Sequence, residues 1–125
     1  MAQYQIITNN PMVKEHFANK CPLQYADISF MEIFYRVRDL VQQGHKLLTH
    51  PLAGSVKPNE TPYRSIMISL KSEGQVDTES EVIIEECIIA GKKFPPLERK
   101  WSDRVIEDFQ YIDFTLISNV LSVHG

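Results

Sequence analysis

Residues 23–44 read LQYADISFMEIFYRVRDLVQQG, and this stretch decides the fold. Ser29 and Glu32 have the spacing of a capping box, in which a serine hydroxyl accepts from the backbone three residues on and the glutamate reaches back. Ile28 and Ile33 flank that box at the spacing of a hydrophobic staple, so two mutually consistent signals start a helix at Phe30. Phe30, Ile33, Phe34, Val37, Leu40 and Val41 then recur at i, i+3, i+4 and i+7, which gathers them on one buried stripe. Gly44 stands where a left-handed residue closes such a helix. Leu23 to Asp27, ahead of it, is a short β-prone run, so the unit reads strand, then helix.

Toward the N-terminus the same unit occurs once more. Tyr4 to Thr8 (YQIIT) predicts a strand, and Asn10 as N-cap with Pro11 at the first helical position begins a helix to about Asn19, broken by Cys21-Pro22. Toward the C-terminus, Leu47 to Thr49 predicts a short third strand. Arg64 to Leu70 (RSIMISL) predicts a fourth, with Ile66, Ile68 and Leu70 on one face and Ser65, Met67 and Ser69 on the other. Thr78 and Glu81 repeat the capping-box spacing before a third helix that ends near Gly91, and its Val82, Ile83, Cys87, Ile88 and Ala90 predict a widely buried face. Pro95-Pro96 marks a connector. Ser102, between Trp101 and Ile106, opens a last helix through about Leu121, striped by Val105, Phe109, Ile112, Leu116 and Val120. The expectation is a single α/β domain over residues 1–125, in the order βαβαββαα, with a parallel or mixed four-stranded sheet and helices on both faces. Right-handed crossovers then place the carboxyl ends of the first three strands on one edge.

A chain of 125 residues suits one domain and buries about two-thirds of the surface its unfolded form exposes. Thirteen Lys and Arg against sixteen Asp and Glu give a net charge of −3, which argues against nucleic acid as the partner. The N-terminus lacks the pattern of a secretory signal and no apolar run is long enough to cross a bilayer, so a cytoplasmic protein without membrane association is expected. Cys21 and Cys87 are far apart with no CxxC spacing and read as reduced thiols, Cys87 as core. His45 and His50 differ by an odd number of strand positions, face opposite ways and do not form a metal site. Gly54-Ser55-Val56-Lys57 lacks the second glycine and the Lys-Ser/Thr pair of a phosphate-binding P-loop, and no GxSxG or HExxH motif occurs. No metal or cofactor is expected.

The predicted strand ends carry three polar segments, Thr8-Asn9-Asn10, Asp27 to Ser29 and Thr49-His50-Pro51, where ligands of open α/β sheets collect. Thr8, Asn9 and Asn10 precede a helix whose free N–H groups would suit an anion, although a simple cap is the plainer reading of Asn10. The long passage HPLAGSVKPNETPYRS, residues 50–65, is stiffened by Pro51, Pro58 and Pro62. Lys57 and Arg64 supply cationic donors, Ser55, Asn59 and Thr61 hydrogen-bonding groups, and Tyr63 an aromatic surface. Together they would clamp a carboxylate or phosphate, and a solvated, proline-pinned connection accounts for the same residues equally well. His50 is the one candidate acid–base residue.

The stretches Ile6-Ile7-Thr8-Asn9-Asn10-Pro11-Met12-Val13, Gly44-His45-Lys46-Leu47-Leu48-Thr49 and His50-Pro51-Leu52-Ala53-Gly54-Ser55-Val56-Lys57-Pro58-Asn59-Glu60-Thr61-Pro62-Tyr63 resemble the GrdX family. These are small proteins encoded beside the glycine reductase genes of amino-acid-fermenting anaerobes. The resemblance implies a metabolic setting and carries over no catalytic residue. The leading expectation is a non-enzymatic accessory or regulatory protein of the glycine, sarcosine or betaine reductase system. It would bind a small anionic ligand or a reductase component through Thr8, Asn9, Asn10, His50 and the passage to Arg64. The alternative is a small enzyme acting on an amino-acid-derived or phosphorylated compound, with His50 as acid–base group and Lys57 or Arg64 stabilising an anion. A purely structural subunit, seen as a homo-oligomer or heteromeric complex, is the third reading.

Overall fold

In the computed structural model, which describes residues 3–52, 61–93 and 101–124, the paired signals at residues 28–33 begin a helix. The Glu32 backbone N–H donates to Ser29 Oγ at 3.2 Å, and the Ser29 hydroxyl donates to Glu32 Oε1 at 3.3 Å. Ile28 packs against the core cluster that holds Ile33, as a staple requires. The helix runs Phe30–Gln42 and buries Phe30, Ile33, Phe34, Val37 and Val41. Gly44 follows at φ +102°, where a Cβ would also collide with the Ser72 hydroxyl, so the position takes glycine for two reasons.

The described elements are β1 (Tyr4–Thr8), α1 (Pro11–Phe17), β2 (Leu23–Tyr25), α2 (Phe30–Gln42), β3 (Ser65–Ser69), α3 (Thr78–Lys93) and α4 (Asp103–His124). The sheet order is β2-β1-β3. β1 lies parallel to β2, with Ile6 opposite Leu23 and Thr8 opposite Tyr25, and antiparallel to β3, with Tyr4 opposite Ser69 and Thr8 opposite Ser65. Adjacent residues of β1 and β3 point to opposite faces, and both faces are covered. Ile7, Ile66 and Ile68 pack with α2 and α3, while Ile6 and Met67 pack with Val13 of α1 and Ile117 and Leu121 of α4. This double burial is why β1 and β3 carry apolar residues at consecutive positions. None of the described helices is long and apolar enough to cross a membrane.

The α/β class, the mixed sheet and helices on both faces agree with the expectation, but the sheet has three strands rather than four and the order is βαβαβαα. Leu47 to Thr49 does run along β3, yet it makes a single bridge, Leu47 to Ile68. The reason lies at Met67. Its N–H is taken by the Thr49 side-chain hydroxyl at 3.0 Å, and its carbonyl receives both Leu48 N–H and Thr49 N–H, so the ladder cannot continue. Because β3 is antiparallel, its N-terminal end, not its C-terminal end, shares an edge with the end of β1.

Smaller corrections concern the helices and β2. β2 stops at Tyr25 instead of Asp27, and α1 at Phe17, with Ala18 as C-cap. α3 is capped by Asp77 rather than Thr78: the carboxylate accepts from Ser80 N–H at 3.1 Å and from the Ser80 hydroxyl at 2.6 Å. Its buried line is Ser80, Ile84, Cys87, Ile88 and Gly91, with Val82 left half exposed. Gly91 lets Met31 of α2 approach so closely that a Cβ would meet its sulfur. In α4 the buried line is Asp113, Ile117 and Leu121, rotated from the predicted stripe, and Ile112 is 53 % exposed. The Pro95-Pro96 connector lies outside the described residues.

Candidate functional site

The end of β1 is where the chain gathers its buried polar groups. Asn9 joins three segments: its Nδ2 donates to the carbonyls of Ile28 and Pro62, each at 2.8 Å, and its Oδ1 accepts from Arg64 N–H at 2.8 Å. Its own N–H donates to the Arg64 carbonyl at 3.3 Å. Asn10 caps α1 as expected, accepting from Met12 N–H at 3.0 Å, while its Nδ2 donates to the Gln110 carbonyl and to Asp113 Oδ2 at 2.9 and 3.0 Å. Thr8 Oγ1 accepts from Asn10 N–H at 3.0 Å and shares a 2.6 Å hydrogen bond with Ser65 Oγ. Ser65 in turn donates to Asp113 Oδ2 at 2.6 Å. Thr8, Asn9 and Asn10 therefore stand at the expected edge with these polar groups committed to one another and to neighbouring segments.

A cleft with a cavity of about 60 Å³ opens beside this cluster. Thr49, His50 and Pro51 form one side, Thr61, Tyr63, Arg64 and Ser65 another, and α4 closes it with Ile112, Asp113, Leu116, Ile117 and Val120. Four of the residues singled out from sequence, His50, Thr61, Tyr63 and Arg64, thus meet in one place. Ser55, Lys57 and Asn59 lie outside the described residues. Tyr63 is held to α4 through its hydroxyl, which accepts from Gln110 Nε2 at 3.0 Å. Leu52 N–H donates to His50 Nδ1 at 3.1 Å, which puts the proton of the neutral ring on Nε2.

The charges here are unusual for their burial. Arg64 is 5 % exposed and Asp113 7 %. Burial lowers the Arg64 pKa, and the charge of the Asp113 carboxylate pulls it back up. Burial raises the Asp113 carboxyl above the ordinary carboxylate value, opposed by hydrogen bonds from Ser65 and Asn10 and by Arg64. Each of the two groups therefore favours the charged form of the other. Cys87, on the far side of the sheet, is pushed up to about 11 by burial and by Glu86, and is a protonated core thiol. No group of three or more His, Cys, Asp or Glu suited to a metal occurs among the described residues.

Asp113 was not foreseen, because the apolar stripe read from sequence runs past it. The signal available was an acid at a position three and four residues before Leu116 and Ile117, inside an apolar helix, with no Lys or Arg within a turn on either side.

A model of the family described as GrdX-like protein matches residues 5–122, nearly the whole chain, α4 included. The chain belongs to the GrdX-like protein family. Membership associates it with the glycine reductase system. Comparisons with curated proteins and with solved structures give no significant match. The family match extends the resemblance from the N-terminal half, where its wording is most specific, to the helix that walls the cleft.

Proposed function

We propose that the chain is a cytoplasmic accessory or regulatory protein of the glycine, sarcosine or betaine reductase system that binds a small carboxylate or phosphate in the cleft beside α4, with a reductase component as its protein partner. The observation that supports this most is the near-complete burial of Arg64 in the wall of a cleft that Thr61, Tyr63 and Ser65 also line. A guanidinium in a low-dielectric wall acts on an anion far more strongly than one in water. His50 favours binding over proton abstraction. Its Nδ1 lone pair is occupied by Leu52 N–H, so in the neutral ring the nitrogen left over is an N–H donor rather than a base.

The test is a titration of the full chain with acetate and with inorganic phosphate, followed by amide NMR shifts. Shifts should concentrate at residues 49–51, 61–65 and 112–117 and shrink in His50→Ala, a substitution at an exposed position that leaves the core intact. Shifts that are absent, or spread evenly over α2 and α3, would overturn the assignment of the cleft.

A further inference from the structure

α4 offers a second surface on the flank turned away from the cleft. A groove of about 390 Å³ runs between α1 and the first turns of α4, with Pro11, Met12 and Ile106 as its apolar lining and Glu15, Asp103 and Glu107 as its charged lining. We propose that this groove docks a basic amphipathic segment of another protein chain, with lysine or arginine side chains on the carboxylates and apolar side chains against Met12 and Ile106. The groove shares no lining residue with the cleft, so the inference stands apart from the anion-binding reading.

Three observations carry it. The first is charge. None of the three carboxylates forms an ion pair among the described residues, where the one ion pair is Arg38 with Asp39. Neighbouring cations are turned elsewhere: the Lys14 ammonium lies 4.7 Å from the centre of the Tyr25 ring, and Arg104 does not line the groove. These three acids equal the chain's whole excess of Asp and Glu over Lys and Arg, so the remainder of the sequence is formally balanced and a cationic partner is drawn here. The second observation is that local structure does not account for the acids. Asp103, in the first turn of α4, suits the helix dipole, but Glu107 stands a turn further on, and Glu15 lies in the last turn of α1, the end at which an acid is disfavoured.

The third observation is an aromatic surface that continues the groove. Tyr111 follows Glu107 one turn along α4, and His16 follows Glu15 in α1. The Phe114 ring centre lies 4.6 Å from that of His16, 5.7 Å from Phe17 and 6.3 Å from Tyr111, and Tyr111 is 59 % exposed. Exposed aromatic side chains are enriched where proteins meet, and their ring faces also accept lysine and arginine. From Asp103 to Phe114 the surface extends about 16 Å along α4, the length of three turns of a partner helix rather than of one small cation.

The experiment is a fluorescence-anisotropy titration of the full chain with a labelled peptide of about twelve residues carrying leucine and lysine at helical spacing. A peptide with glutamate in place of lysine, and one of lysine alone, are the controls, and each should bind about tenfold or more weakly. Glu15→Gln combined with Glu107→Gln, both at exposed positions, should weaken the leucine and lysine peptide about tenfold. Glu73→Gln combined with Glu86→Gln removes the same charge at exposed positions in and before α3 and should change binding by less than about twofold. Tyr111→Ala should weaken it about threefold or more. Equal losses in the two double variants would reduce the binding to diffuse charge attraction and overturn the groove. Lysine alone binding as tightly would replace the amphipathic partner with a small polycation, and a chain that sediments by itself as a dimer broken by Tyr111→Ala would make a second copy the occupant; either result overturns the proposal. None of these outcomes depends on acetate or phosphate, so this inference and the anion-binding reading fail separately.

Discussion

The two faces of the sheet are built on different principles. Against α2 and α3 the chain packs Ile7, Phe34, Val37, Ile66, Ile68 and Ile84, aliphatic and aromatic side chains with almost no polar interruption. Against α1 and α4 it packs a smaller cluster around Ile6, Val13, Met67 and Ile117, and at its upper end replaces apolar contact with the chain Thr8, Ser65, Asp113 and Asn10. The first face needs only shape and apolar area, and each fully buried side chain there contributes about 1.5–3 kcal/mol. The second needs particular atoms at particular places, which is why the cleft lies on that side.

The sharpest way to break this contrast is Phe34→Ala. Phe34 is fully buried and packs edge-on against Phe30 at 5.8 Å, so urea unfolding should show a loss of about 3–5 kcal/mol. A loss well below that range would mean that the dry face does not carry the fold. Asn9→Ala should cost less but act at the junction. It leaves the Arg64 N–H without its side-chain acceptor and the Ile28 and Pro62 carbonyls without their donor. The loss of one such buried partner costs about 1–3 kcal/mol, and amide exchange should rise at residues 61–65 before it rises in α2. The gentlest test compares the unaltered chain with Asp113→Asn across acid pH. Because burial raises the folded-state pKa of Asp113 above its unfolded value, its contribution to stability is complete below the unfolded pKa and is lost as pH rises through the folded pKa. Arg64, Ser65 and Asn10 face the same carboxyl and limit that loss. Stability of the unaltered chain relative to the variant should therefore fall as pH rises over this window, and a flat difference would show that the carboxyl is not desolvated.

The dry face was the readable one. The staple, the capping box and the stripe from Phe30 to Val41 are all local, set by neighbours within one or two turns, and they appear in the structure where the residues place them. β1 is likewise local. What could not be read depends on distant partners. Leu47 to Thr49 has a strand's composition, but its fate turns on the Thr49 hydroxyl reaching Met67, eighteen positions on. The orientation of α4 is set by Asn10 and Ser65 drawing Asp113 inward, across 103 and 48 positions, and this outweighs the apolar pull of Ile112. His50, Thr61, Tyr63 and Arg64 come to line one cleft because the chain passes the end of β1 on both sides of residues 53–60. Asp113 escaped because nothing near it in sequence announces its partners.

The hydrogen bonds from Asn10 to Gln110 and Asp113 join residues about one hundred positions apart. Contacts at such separation carry the largest loop-closure cost and depend on the rest of the chain being in place. During synthesis the sheet and α2 can begin to organise while the last helix is still unmade, but the cleft has no wall until α4 emerges. A chain interrupted before Asp113 would retain the residues of the dry face and lose the α4 wall of the cleft, so closure of the cleft comes last in synthesis.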